Sequence, residues 1–139
     1  MNAVLLIAHA PLAHALRECA LHVFPEAAPD IVALDVDAHE PPERSLARAQ
    51  ALLAPWDERP VLLLTDMLGA TPCNVAQRLA DGVRTRLVAG VNLPMLLRAL
   101  TYRAEPLEAL AQRALDGGVR GVVPVAANAT APTAPKSPA

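Results

Sequence analysis

The sequence predicts an α/β fold built on a mostly parallel sheet. Three observations lead there. Short, continuous apolar runs alternate with stretches of helical period along the chain. Proline and glycine fall between those segments, where turns belong. Residues are 53% hydrophobic but only 2% aromatic, so the core must be Ala, Val, Leu and Ile, which suit close packing of helix on sheet. With 139 residues, the chain is long enough for one domain with a real core.

The elements follow in order. Residues 3–8 (AVLLIA) form an unbroken apolar run, the mark of a strand buried on both faces. Pro11 suits the first turn of a helix, and Leu12, Leu16, Cys19 and Val23 then recur at helical spacing. Pro25 and Pro29 punctuate the connection to a second strand over 31–36, with Asp35 and Asp37 near its end. His39 to Pro42 reads as a loop, and 43–53 as a second helix with Leu46, Ala49, Leu52 and Leu53 inward. After a turn over 55–60 comes the clearest buried strand, 61–65 (VLLLT). A loop containing Gly69 follows, then a helix whose start is Thr71 as a hydroxyl N-cap with Pro72 behind it. That helix runs to Leu79, and Asp81–Gly82 ends it. A fourth strand spans 85–89, a turn spans 90–93, and Pro94 opens a helix reaching Tyr102. A further helix covers 106–115, with Gly117–Gly118 expected to stop it and 119–125 expected as a last short strand. Residues 126–139 hold Ala, Pro, Thr and Ser without a core residue, the composition of a disordered tail or a linker stub beyond a domain of residues 1–125.

Charge and cysteine usage narrow the function. The net charge is −2, and the only lysine is Lys136, so no large basic face exists for nucleic acid. Cys19 and Cys73 are far apart, have no metal-type spacing, and read as reduced thiols acting as small hydrophobes. The apolar N-terminus lacks a basic leader segment and is broken at His9 and Pro11. It reads as a buried strand, neither a signal peptide nor a membrane span, and a cytoplasmic location is expected.

In an open parallel sheet, ligands bind beyond the carboxyl ends of the strands. His9 follows the first strand, Asp66 the third, and Gly90, Val91 and Asn92 the fourth. The helices begun at Pro11 and at Thr71–Pro72 start at the same edge, and helix N-termini offer free N–H groups to an anion. Gly69 and the small Ala70 let the backbone approach closely, and the Thr71 hydroxyl adds a hydrogen bond. A phosphoryl group suits such a site even without Lys or Arg in these loops. Neutral imidazole is a good nucleophile near pH 7, so His9 is the candidate acceptor, with Asp66 fixing its tautomer. Taken singly, each residue has a plainer reading. A histidine after a strand is often a loop residue, an aspartate a turn residue, and Thr71 and Asn92 simple helix caps. His14 and His22 fall on the first helix and are expected to face solvent or be partly buried. His39 reads as an exposed loop residue, Asp35 and Asp37 as a polar strand end, and no histidine pair has clear metal spacing.

Three segments together resemble one family. IAHAPLAHAL is similar to the opening of the mannose/fructose/sorbose-type enzyme IIA domains of the bacterial phosphotransferase system. TDMLGATPCNVA resembles that family's Asp-x-x-Gly-Gly-Ser/Thr-Pro-x-Asn loop, and AGVNLPMLLRAL its Ala-Gly-Val-Asn-hydrophobic-Pro-Met-Leu motif. They occur in the family's order, and the likeness covers residues 1 to about 125. It implies that His9 is the phosphorylated histidine, through Nε2, and that Asp66 binds the other ring nitrogen. It implies that Gly69, Thr71 and Asn92 line the phosphate site. The implied donor is phospho-HPr and the implied acceptor a histidine of a IIB component, with no metal or organic cofactor. The implied fold is doubly wound, with four parallel strands, helices on both faces, and a fifth antiparallel strand exchanged in a homodimer. Residues 119–125 would be that strand. Ala10 and Ala70 stand where the family usually has glycine, so a tighter or differently bent loop is expected, with phosphorylation preserved because Ala stays small. An alternative within the resemblance is a regulatory phosphohistidine module, or a phosphodonor to a dihydroxyacetone kinase, without sugar transport. The rival outside it is a receiver domain phosphorylated on Asp66. That rival needs an acidic cluster after the first strand and a later lysine, where this chain has His9 and no Lys before 136.

Overall fold

The structure, a computed structural model, describes residues 1–127. The strands are β1 (Ala3–His9), β2 (Ile31–Val36), β3 (Val61–Thr65) and β4 (Thr85–Ala89). The helices are α1 (Leu12–Val23), α2 (Pro42–Leu53), α3 (Thr71–Leu79), α4 (Leu93–Thr101) and α5 (Leu107–Arg120). Strand and helix alternate from β1 through α4, and a further helix, α5, follows α4 directly. Short 3₁₀ segments at Pro25–Asp30 and Ala54–Trp56 fill two of the proline-marked connections.

The sheet has the order β2-β1-β3-β4, and every pairing is parallel. Burial of β1 explains the unbroken apolar run: Ala3 through Ala8 are all fully covered. Alternate side chains enter two separate cores. Val4, Leu6 and Ala8 pack with residues of α1, α4 and α5, among them Leu16, Leu96 and Leu110. Ala3, Leu5 and Ile7 pack on the other face with Ala49 of α2 and Ala76 of α3. The sheet is therefore doubly wound, with helices on both faces.

At the carboxyl-terminal end one expectation is corrected and the bounds of another are narrowed. Gly117 and Gly118 do not stop α5, which runs on to Arg120. They are buried packing residues: a Cβ on Gly117 would lie 2.8 Å from the Arg98 Cβ, and one on Gly118 2.7 Å from the Met95 Cε. The glycines let α5 lie close against α4, which outweighs their weak helix propensity. Accordingly Val119 is helical, and residues 122–126 have no strand partner among the described residues. Of the tail expected over 126–139, residues 128–139 lie outside the described residues.

Candidate functional site

The strand order places a topological switch point between β1 and β3: from β1 the chain crosses first to β2, then back past β1 to β3. The carboxyl ends of those two neighbouring strands open a crevice. His9 is the last residue of β1, and Asp66 follows the last residue of β3. The register pairs Ile7 with Thr65, so His9, two residues on, comes within reach of the side chain of Asp66, one residue on.

They meet through two hydrogen bonds. The His9 backbone N–H donates to Asp66 Oδ2 at 3.0 Å, and His9 Nδ1 lies 2.6 Å from the same oxygen. The other carboxylate oxygen, Oδ1, accepts the Met67 N–H at 3.0 Å and faces the Thr65 hydroxyl at 3.4 Å. Burial pushes the Asp66 carboxyl up. The hydrogen bonds from the His9 amide and ring, with the charge of that ring, outweigh it and hold the pKa below the ordinary 3.8. An ionised carboxylate only accepts, so Nδ1 carries the ring proton. In the neutral ring, Nε2 then keeps a free lone pair, and no hydrogen bond among the described residues engages it. The His9 side chain is 47% exposed, whereas that of Asp66 is 12% exposed. One partner is presented to solvent and the other is its fixed support.

The remaining expected residues lie on the loops and helix starts at this edge. Gly69 has φ +91°, so its glycine is required by the backbone. Ala70 is extended, with φ −110° and ψ 169°, and Ala10 also avoids positive φ, so neither alanine strains the loop. Thr71 is corrected from N-cap to first residue of α3; the cap position is Ala70, and no side chain caps that helix. The Thr71 hydroxyl makes no hydrogen bond among the described residues, and neither α1 nor α3 is capped by the side chain of its own N-cap residue, although Asp35 accepts the His14 N–H in the first turn of α1. Asn92 caps α4: its Oδ1 accepts the Met95 N–H at 2.9 Å, and its Nδ2 donates to the Gly118 carbonyl at 3.1 Å. Both ends of that amide are thus committed to joining α4 with α5. The Ala10–Pro11 peptide is cis.

Residue-by-residue reading missed two features. Thr65, fully buried, supports the Asp66 carboxylate and also accepts the Gly90 and Val91 N–H groups on its carbonyl, both at 2.9 Å. Only the β3–β4 register exposes that role. The second feature is a hydrogen-bonded pair of His14 and Asp35. Among the described residues no group of three or more His, Cys, Asp or Glu is placed to hold a metal ion, and no helix is long and apolar enough to cross a membrane.

Residues 3–114 match the family described as PTS system fructose IIA component. The chain belongs to that family. This member of the fructose IIA family is 46% identical over 55 residues to the PTS system fructose-specific EIIA component of Bacillus subtilis (strain 168), a stretch that is 39% of this chain and 38% of that relative. The match thus spans well under half of the relative's length. Among solved structures, the mannose/sorbose specific IIA subunit from Enterococcus faecalis superposes with a TM-score of 0.82 at 27% identity, over 90% of this chain and 95% of that one. A phosphotransferase system component EIIA from Streptococcus agalactiae has the same fold, with a TM-score of 0.78 at 23% identity over 89% and 97% of the two chains.

Proposed function

We propose that this IIA component is a phosphoryl carrier: Nε2 of His9 takes a phosphoryl group from phospho-HPr and passes it to a histidine of a IIB component. The observation that carries the proposal is the 2.6 Å contact between His9 Nδ1 and Asp66 Oδ2. It leaves Nε2 as the nucleophile and sets a carboxylate beside the ring when phosphorylation makes it cationic.

The transition state of phosphoryl transfer is loose, so a protein contributes mainly position and stabilisation of the equatorial oxygens. The uncapped start of α3, the Gly69 turn and the unengaged Thr71 hydroxyl supply donors for those oxygens. Asn92 contributes by holding the α4–α5 wall rather than by reaching the phosphate. The transfer as written draws on no metal or organic cofactor. Exposed Leu12, Met67, Leu68 and Leu93 lie on the segments bordering His9, a rim suited to protein partners. Such partners place the reaction in the cytoplasm.

We propose also that residues 121–125 form an antiparallel strand on the sheet of a second copy. Val122, Val123 and Val125 are exposed at 75%, 61% and 81%, and β4 pairs on one side alone among the described residues.

The test is phosphorylation of the full chain with phosphoenolpyruvate, enzyme I and HPr, with the site located by fragment-ion mass spectrometry. Rapid appearance of an acid-labile phosphate on His9 is expected, and a wild-type chain that never carries phosphate on His9 would overturn the proposal.

A further inference from the structure

We infer that His14, held by Asp35, is a second phosphoryl-acceptor histidine of this chain, served by the same phosphohistidine donor on the opposite face of the sheet. The inference rests on the reading of His9 as a phosphoryl acceptor.

The two histidines are held alike. His14 Nδ1 lies 2.8 Å from Asp35 Oδ2, and the His14 backbone N–H donates to Asp35 Oδ1 at 3.2 Å. In the first pair, the same two groups of His9 reach Asp66 at 2.6 and 3.0 Å. Each imidazole is gripped by one carboxylate through its own amide and through Nδ1. Among the described residues no hydrogen bond engages Nε2 of His14, and its side chain is 62% exposed, more than the 47% of His9.

Both pairs sit at the carboxyl edge but on different faces. His9 continues the series Ala3, Leu5, Ile7, whose core also holds Ala49 of α2 and Ala76 of α3. Asp35 continues the series Ile31, Ala33, whose core also holds residues of α1, α4 and α5. Each ring therefore meets a donor from its own side of the sheet.

A purely structural role for the pair is specific enough to weigh. The α1 N-cap position is Pro11, which has no side chain able to cap, and Asp35 takes up the free first-turn N–H of His14. That duty needs a carboxylate and a backbone amide. It does not need an imidazole at position 14 with its Nδ1 proton directed at the same carboxylate.

The step balances without a co-reactant. The Nε2 lone pair of neutral His14 forms a new P–N bond as the donor's P–N bond breaks. The electron pair of the broken bond returns to the donor nitrogen and leaves a neutral imidazole. The Nδ1 proton stays on His14, and the resulting cationic ring rests against Asp35. His14 lacks the Gly69–Thr71 loop that borders His9, and losing preorganised donors to developing negative charge costs on the order of 100-fold in rate.

The experiment follows intact mass over time for the full chain with phosphoenolpyruvate, enzyme I and HPr, and locates each phosphate by fragment ions. Wild type is expected to gain one phosphate quickly on His9 and a second, about 100-fold more slowly, on His14. His9→Ala is expected to keep the slow phosphate, His14→Gln to stop at one, and Asp35→Asn to slow the second event alone. Wild type that stops at one phosphate on His9 overturns the inference and leaves the carrier proposal standing. Phosphate on His14 without any on His9 overturns the carrier proposal and supports His14. A wild-type chain without phosphate on either histidine overturns both. The wild-type measurement decides without relying on any variant to fold.

Discussion

Asp66 combines two functions that pull on the same carboxylate. It closes the end of the β1–β3 ladder by accepting the His9 amide, and it sets the tautomer of the His9 ring. Asp66→Ala should fold yet slow phosphorylation of His9 by on the order of 100-fold or more, because the ring then chooses its tautomer freely. Single-turnover labelling checks this, and an unchanged rate would remove Asp66 from the mechanism. The same carboxylate is one source of acid sensitivity in the fold. Its pKa is held below 3.8 in the native state, so it favours folding above that value, and the benefit fades as pH falls through the native pKa. Thermal unfolding of wild type should therefore weaken between pH 5 and pH 3 more than that of Asp66→Asn. Parallel curves for the two proteins would contradict the assignment. At this scale the residues themselves announced His9 and Asp66, because both stand at the ends of recognisable strands. They did not announce Thr65, which reads as the last residue of an apolar strand until its carbonyl is seen to hold Gly90 and Val91.

At the scale of elements, the glycines teach the most. In the sequence Gly69 reads as a loop residue and the Gly117–Gly118 pair as a helix stop. Gly69 is a backbone requirement, with φ +91°. Gly117 and Gly118 are a steric requirement, set by the approach of α4. A helix stop and a helix contact share a residue type, and only the neighbour across the gap distinguishes them. Gly117→Ala gains up to about 1 kcal/mol of helix propensity but places a Cβ against the Arg98 stem, where overpacking costs about 1–3 kcal/mol. A net loss of stability is expected in urea unfolding, and a gain would show that α5 can shift outward freely. The amide of Asn92 joins the same two helices, so Asn92→Ala should lose about 1 kcal/mol, the usual worth of an N-cap.

For the whole molecule, the order β2-β1-β3-β4 turns a linear string of strands into a site. The reversal of winding direction between β1 and β3 sets His9 beside Asp66, although 57 residues separate them in the chain. The proposed exchanged strand belongs to this scale too. Light scattering after gel filtration should give a dimer for wild type and a monomer for the double variant Val122→Asp, Val123→Asp. A monomeric wild type would end the strand-exchange proposal and leave the His9 chemistry untouched.

The four strands, most helix bounds and the pair His9 and Asp66 were legible in the chain, because unbroken apolar runs, helical spacing and residues at strand ends are local signals. Local signals do not record which segments touch. The persistence of α5 through two glycines, the support from Thr65, and the second histidine–carboxylate pair all depend on neighbours distant in sequence. His14 and Asp35 are 21 residues apart, on a helix and a strand, and each alone reads as an ordinary surface residue. Packing α1 against β2 alone brings an imidazole and a carboxylate into one hydrogen-bonded pair, because hydrogen bonding depends on distance in space and not on distance along the chain.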